Sequence, residues 1–235
     1  VATFLGPLLG ATGFYLVAQC LLFLCLKRAD SSVIAPLLGI KIPMLGILST
    51  VVLSDPLPSS AWGAILLCTL AVFLFFPPAD KPHAATPGRV LLTCLAYCGS
   101  DLCIPVLVRS VEDASRTPIL LAVALTYTVC GVVGMSLALS TGAFRVPAVH
   151  RYAAPYAASW LVAMCFLFAA FSSVGVVFGN MLQSTRGLIS VGLAVLLLRL
   201  GVSGADRPSG RGQLIQRACG AALMTAAIVL YYTLL

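Results

Sequence analysis

Long apolar segments alternate with short polar ones along the whole chain. A helix needs about 20 apolar residues to cross the hydrocarbon core of a bilayer, and eight segments reach roughly that length. Their approximate bounds are 2–26, 31–53, 59–77, 88–110, 117–141, 152–174, 177–200 and 213–234. The pattern predicts an all-α membrane protein, built as a polytopic bundle of about eight transmembrane helices.

The composition agrees with this class and excludes others. Hydrophobic residues make up 60% of the chain and charged residues only 9%, whereas about a quarter of the residues in a soluble domain are charged. The formal net charge of +7 comes mostly from the loops. Because no basic stripe alternates with exposed aromatic residues, we expect the lipid bilayer as a partner and no nucleic acid.

All nine cysteines fall in apolar segments, which favours packing residues over a disulfide framework. Cys94 and Cys98 are four residues apart on one helix face and could ligate a metal ion. Neither a histidine nor a second cysteine pair accompanies them in the sequence. We therefore expect no metal and no cofactor.

Basic residues in the loops are distributed unevenly between the two sides of the predicted bundle. Ten of them follow the odd-numbered spans: Lys27, Arg28, Lys81, Arg89, Arg145, Arg151, Arg199, Arg207, Arg211 and Arg217. The other side has Arg109 and Arg116, beside Glu112 and Asp113. Since cytoplasmic loops carry the excess of Lys and Arg, this count places both visible chain ends outside the cytoplasm.

Two basic residues lie inside apolar segments rather than in loops. Lys41 is on the order of 15 Å deep in the second span, from the rise per helical residue, and Arg186 has a comparable depth in the seventh. Both charged helices are followed by a polar loop and by a helix that opens on glycine, Gly63 or Gly220. We interpret the two halves as diverged copies of one repeat, an arrangement common in transporters that bind substrate near the membrane midplane.

Asp101, also well inside a span, is the obvious partner for these cations. A charge at the bilayer centre costs roughly 2.5–3.5 kcal/mol on insertion scales, so such residues are usually functional. One carboxylate cannot fully neutralise both Lys41 and Arg186, so the predicted cavity is net positive and favours an anionic substrate. The alternative is structural, with the charges satisfied by carbonyl groups, water or an internal ion pair.

Five polar or aromatic residues extend the predicted site beyond the three charges. They are Tyr15 and Gln19 on the first span, Tyr97 on the fourth, and Asn180 and Gln183 on the seventh. Spacings of three or four residues place several of them on the same helix faces as the charges. We predict substrate contact for all eight residues, with interhelical hydrogen bonds and aromatic packing as the alternative for these five. Pro43, beside Lys41, predicts a bend in the second span.

With this arrangement, the sequence resembles the drug/metabolite transporter superfamily, in particular its EamA-type members. The stretches that carry the resemblance are "SSVIAPLLGIKIPMLGILSTVVLSDPLPSSAWGAILLCTLAVFLF" (31–75), "FSSVGVVFGNMLQSTRGLISVGLAVLLLRLG" (171–201) and "ACGAALMTAAIVLYY" (218–232). The family pattern is a helix with a mid-membrane proline, a short loop with an acidic residue and a last helix that opens on glycine. Asp55 stands where that acidic residue is expected.

The resemblance implies two inverted five-helix repeats. The chain then divides into a first repeat at 1–77 with three helices, a linker at 78–87 and a second repeat at 88–235 with five. The first two of the ten family helices would precede Val1, so we expect a fragment or a shortened member. The family's usual orientation has both ends in the cytoplasm, opposite to the loop charges; we follow the charges. The resemblance also suggests the bacterial cytoplasmic membrane.

Three functions are compatible with the sequence, and a secondary transporter of a small anionic or zwitterionic metabolite is the first. No phosphate-binding loop of the G-x-x-x-x-G-K-[ST] type is present in the sequence, so transport would not use ATP. An integral membrane enzyme acting on a lipid phosphate is the alternative, but only His83, with Asp80 near it, and His150 are available for acid–base chemistry. A scaffold without transport is the third. We expect no enzyme, and a homodimer stays open.

Overall fold

A computed structural model describes residues 3–27, 38–52, 57–75, 86–142, 147–185, 189 and 211–234. Regular secondary structure in these ranges is helical, and no strand occurs in them. The helices are α1 (Leu5–Leu26), α2 (Lys41–Val52), α3 (Ser59–Phe75), α4 (Thr86–Ser110), α5 (Pro118–Thr141), α6 (Pro147–Val174), α7 (Val176–Ser184) and α8 (Arg211–Leu234). A short 3₁₀ turn, Glu112–Ala114, joins α4 to α5.

Four of these helices contain stretches long and apolar enough to cross a membrane. The stretches are Leu5–Leu26, Gly88–Ser110, Pro118–Thr141 and Ala153–Val174. Their outer faces expose large apolar side chains, such as Leu9 at 64% and Phe166 at 73%. Exposed apolar surface of this extent is what a lipid-facing helix presents. The class of α-helical membrane protein is therefore confirmed, while the count of eight spans and the two repeats stay predictions.

The most extensive helix contacts are α1 with α4 and α3 with α8. Small residues explain how closely α1 and α4 approach: a Cβ added at Gly10 would lie 2.7 Å from Cys103 Sγ. One added at Gly99 would lie 3.0 Å from the Phe14 ring. Each helix thus places a side chain over a glycine of the other, which is how membrane helices gain packing energy without a hydrophobic driving force. Ser100 Oγ also donates to Ala11 O at 2.8 Å.

The helical path is interrupted just before Lys41, not at Pro43. Residue 38 is helical, Gly39 and Ile40 form a turn, and α2 begins at Lys41. Pro43 then falls in the first turn of α2, where a missing N–H costs little because the amides there have no intrahelical acceptor. The predicted bend at Pro43 is therefore corrected to a break at residues 39–40.

Two thiols of α4 support this interruption. Cys98 Sγ lies 3.6 Å from Lys41 O and Cys94 Sγ 3.9 Å from Leu38 O, within the range of weak sulfur hydrogen bonds. The carbonyl of Leu38, which precedes the break, needs such a partner because lipid supplies none. Cys94 and Cys98 thus pack against the break, as well as filling space between helices.

A second interruption separates α6 from α7 at Gly175. Its dihedral angles, φ 82° and ψ 162°, belong to a region that essentially only glycine occupies. The predicted spans 152–174 and 177–200 leave almost no loop between them, and α6 does end at Val174 while α7 begins at Val176. α7 ends at Ser184. The remainder of the predicted seventh span, apart from Thr185 and Ile189, lies outside the described residues.

Candidate solute-binding site

A cavity of about 460 Å³ lies between the helices. All eight helices contribute lining residues, and α3 contributes only Val72. The predicted site residues that the structure describes all line it: Tyr15, Gln19, Lys41, Tyr97, Asp101, Asn180 and Gln183. Arg186, the remaining predicted residue, lies outside the described residues. The sequence therefore identified seven side chains, on four different helices, that the fold brings to one place.

The Lys41–Asp101 ion pair is the polar centre of this cavity. Lys41 Nζ lies 2.6 Å from Asp101 Oδ2, and the two side chains are only 15% and 8% exposed. Lys41 is the first residue of α2, so its charge sits at the positive end of that helix dipole, where a cation is disfavoured. The carboxylate of Asp101 compensates for both the burial and the dipole. This pairing is the one that the sequence predicts.

Asn180 is a second partner of the carboxylate oxygen that Lys41 contacts. Its Nδ2 donates to Asp101 Oδ2 at 2.9 Å and to Val176 O, one turn earlier in α7, at 3.0 Å. Because both amide protons are engaged, the side chain is fixed in one orientation. The break at Gly175 allows α7 to begin at the depth of the ion pair, so Asn180 reaches Asp101 from a short buried helix.

Aromatic rings form the wall beside the ion pair. Lys41 Nζ lies 5.3 Å from the centroid of the Tyr97 ring, within cation–π range. Tyr15 contacts Tyr97 and Tyr127 edge to face, with centroids 6.5 and 6.1 Å apart. Tyr127 in turn contacts Phe168 at 6.5 Å. The ring cluster gives the cavity a rigid, amphipathic side next to its charged centre.

The sequence analysis did not predict five of the aromatic residues that line the cavity. Three of them carry a polar group, Tyr127 on α5 and Tyr156 and Trp160 on α6, and the other two are Phe23 and Phe168. Tyr156 and Trp160 stack at 6.1 Å, and Trp160 neighbours the hydroxyl groups of both Tyr15 and Tyr127. Tyr156 and Trp160 are four residues apart and therefore lie on one face of the sixth span, which was the available signal in the sequence. It is weak, because aromatic residues also occur on lipid-facing surfaces.

The described lining residues include one cation, Lys41, and one carboxylate, Asp101. This part of the site is therefore neutral, rather than positive, and offers one binding group for each sign of charge. A solute with a carboxylate and an ammonium group could replace both contacts of the pair at once. Apolar side chains of Phe168, Met164 and Met224 complete the lining and can accommodate a hydrocarbon portion.

Metal-ligating side chains are not clustered in the part of the chain that the structure describes. Within it, no three His, Cys, Asp or Glu side chains are grouped so that they could hold a metal ion. His83 lies outside the described residues, and the side chain of His150 is not described either.

Comparison with protein-family models finds no match to this chain, and comparison with curated proteins finds none either. The likeness to EamA-type transporters stays a prediction from the sequence.

Proposed function

We propose that this protein is a secondary transporter that moves a small zwitterionic or anionic metabolite through the cavity around Lys41 and Asp101. The observation that carries the proposal is the buried 2.6 Å ion pair inside a 460 Å³ cavity. Burying two charges rarely improves stability over well-packed apolar residues, so a purely structural role accounts poorly for the pair. A site that binds the charged groups of a solute within the membrane would explain why the ion pair is buried there.

The two helix interruptions support transport over a static scaffold. Broken helices at membrane depth are tolerated where they line a cavity, and they are a common feature of transporter substrate sites. The break at residues 39–40 directly precedes Lys41, and the break at Gly175 positions Asn180. Both interruptions therefore position side chains that contact Asp101. Each is also a point at which one helix segment could move relative to the next.

The wider assignment follows from the same proposal. An EamA-type architecture of two inverted repeats would place the ion pair near the membrane midplane, where alternating access requires the substrate site. The polytopic chain would then act in the bacterial cytoplasmic membrane, driven by a gradient or by exchange. Arg186, if it faces the cavity, would add a second cation and shift the preference toward anions.

Uptake by proteoliposomes tests the proposal. Removal of a charge-assisted contact costs about 1.5–3 kcal/mol, so Lys41→Gln should reduce uptake of the transported solute roughly tenfold or more. The panel consists of radiolabelled amino acids, carboxylates and phosphorylated metabolites. The matched control is Arg116→Gln, which removes an exposed cation outside the cavity and should leave uptake within about twofold. Equal uptake by the wild type and Lys41→Gln for every transported solute would contradict a solute site at the ion pair.

A further inference from the structure

The ion pair cannot accept an anion without a change in its own charge balance. An incoming carboxylate that takes the Lys41 ammonium would remove the contact from Nζ to Asp101 Oδ2, now 2.6 Å long. Asp101 would keep the neutral donor Asn180 Nδ2, at 2.9 Å. A buried carboxylate without a cation is strongly disfavoured, and the usual response is that the group takes up a proton.

Among the groups around Asp101 that the structure describes, Asp101 itself is the carboxylate that can take up the proton. From the elements around it come Tyr15 on α1, Lys41 on α2, Tyr97 and Cys98 on its own helix, Tyr127 on α5, Tyr156 on α6, and Asn180 and Gln183 on α7. Among these described neighbours, none is a second carboxylate that could take the proton. None besides Lys41 is a cation that could neutralise Asp101.

We propose that Asp101 is a proton-coupling site: when a monoanionic solute binds Lys41, Asp101 binds one proton, and solute and proton cross the membrane together. The inference rests on the proposed transport function. The Lys41–Asp101 contact breaks, a Lys41–solute contact forms, and a proton from water adds to the Asp101 carboxylate. The cavity therefore has the same net charge before and after binding.

A zwitterionic solute requires no proton at the same site. Its carboxylate replaces Asp101 at Lys41 while its ammonium group replaces Lys41 at Asp101, so both buried charges keep a partner. The site thus distinguishes two substrate classes by the number of protons that bind with each solute molecule. Anions bind with one proton and zwitterions bind with none.

The first test needs no ligand. Lys41→Gln removes the cation from Asp101, as a bound anion would, so the variant should show the infrared carbonyl band of a protonated carboxylic acid at neutral pH. The wild type should lack this band, and so should the double variant Lys41→Gln with Asp101→Asn. The exposed carboxylates Glu112 and Asp113 are common to all three proteins and cancel in the difference spectra. A Lys41→Gln variant without the band would overturn the proposal.

The second test uses the wild-type protein and therefore does not depend on how the variants fold. The probes are 4-methylpentanoate and leucine, which differ by one ammonium group, each added to weakly buffered protein in detergent with a pH-indicator dye. Thermal stabilisation reports binding. The proposal predicts uptake of one proton per bound 4-methylpentanoate and none per bound leucine.

The two tests separate failure of the coupling from failure of transport. Stabilisation by 4-methylpentanoate without proton uptake would overturn the coupling role of Asp101 and leave the proposed function intact. If neither probe stabilises the protein and no solute of the uptake panel is transported, the proposed function fails. The infrared comparison still decides in that case whether Asp101 protonates when its cation is removed.

Discussion

The stability of the site depends on a few buried polar atoms. Lys41 and Asp101 compensate for each other's burial, and the Asn180 amide donates one hydrogen bond to the carboxylate and one to Val176 O. The Tyr97 ring makes a cation–π contact with the Lys41 ammonium. In such a network each member is costly to remove alone, because the remaining groups stay buried without their partners.

Single and double removal of the ion pair should therefore have different effects on stability. Asp101→Ala leaves Lys41 buried and unpaired, and should lower the unfolding free energy by about 3–5 kcal/mol. Lys41→Met combined with Asp101→Asn removes both charges, keeps a partner for Asn180 and should unfold near the wild-type temperature. Thermal unfolding in detergent measures the difference, at roughly 2–4 °C per kcal/mol for a chain of this length. Equal losses in both variants would mean that the pair is not a coupled unit.

Single residues also show how far the sequence can predict the site. A charge in an apolar segment needs a partner, so Lys41 and Asp101 can be paired from the sequence alone. Tyr127 and Trp160 could not be predicted, since an aromatic residue in an apolar span can equally face lipid. Nearly every face of α5 is apolar, so periodicity does not show which side of it faces the cavity.

The helices themselves were easier to predict than their interruptions. Length and hydropathy indicate α1, α4, α5 and α6 because lipid requires long, uninterrupted apolar stretches. The sequence predicts the bend near Lys41 at Pro43, because a proline inside a helix removes a backbone hydrogen bond. The structure has the break at residues 39–40, with the α4 thiols of Cys94 and Cys98 close to the carbonyls of Leu38 and Lys41. These thiol contacts join segments that are more than 50 residues apart in the sequence, so the local sequence around Lys41 could not predict them.

The break between α6 and α7 makes a prediction of its own. Gly175→Ala forces a side chain into a φ of 82° and should cost about 1–3 kcal/mol of unfolding free energy, although the space around the position is open. Gly63→Ala is the matched control, because Gly63 lies within α3, also in open space and without a positive φ. It should be neutral or stabilise by up to about 1 kcal/mol. Thermal unfolding compares the two, and a neutral Gly175→Ala would show that the positive-φ backbone at Gly175 is not required.

The molecule as a whole combines a lipid-facing exterior with a polar interior. Exposed side chains on α1, α5 and α6 are largely apolar, whereas the described charged residues of the interior converge on one cavity. This is the reverse of a soluble bundle and fits a protein that carries a polar solute across lipid. The close approach of α1 to α4 involves glycine contacts such as Gly10 with Cys103, which hydropathy does not reveal.

The orientation of the bundle can be tested directly. The loop charges place the α4–α5 connection outside the cytoplasm and the end of α5 inside. A cysteine at the exposed position 116, introduced as Arg116→Cys, should react with a membrane-impermeant maleimide in intact cells. A cysteine at the exposed position 141, introduced as Thr141→Cys, should react only after permeabilisation. The wild type gives the background from its own cysteines. The opposite labelling pattern would support the orientation that the family resemblance implies.

The central claim is that the cavity around Lys41 and Asp101 binds a charged solute. Ligand-induced thermal stabilisation across a panel of zwitterionic and anionic metabolites tests it most directly, because a ligand at 100 times its dissociation constant adds about 2.7 kcal/mol to the unfolding free energy. We predict that at least one solute raises the unfolding temperature of the wild type and of Arg116→Gln by several degrees, but not that of Lys41→Gln. A solute that stabilises all three proteins equally would contradict the claim, as would a panel in which none stabilises the wild type.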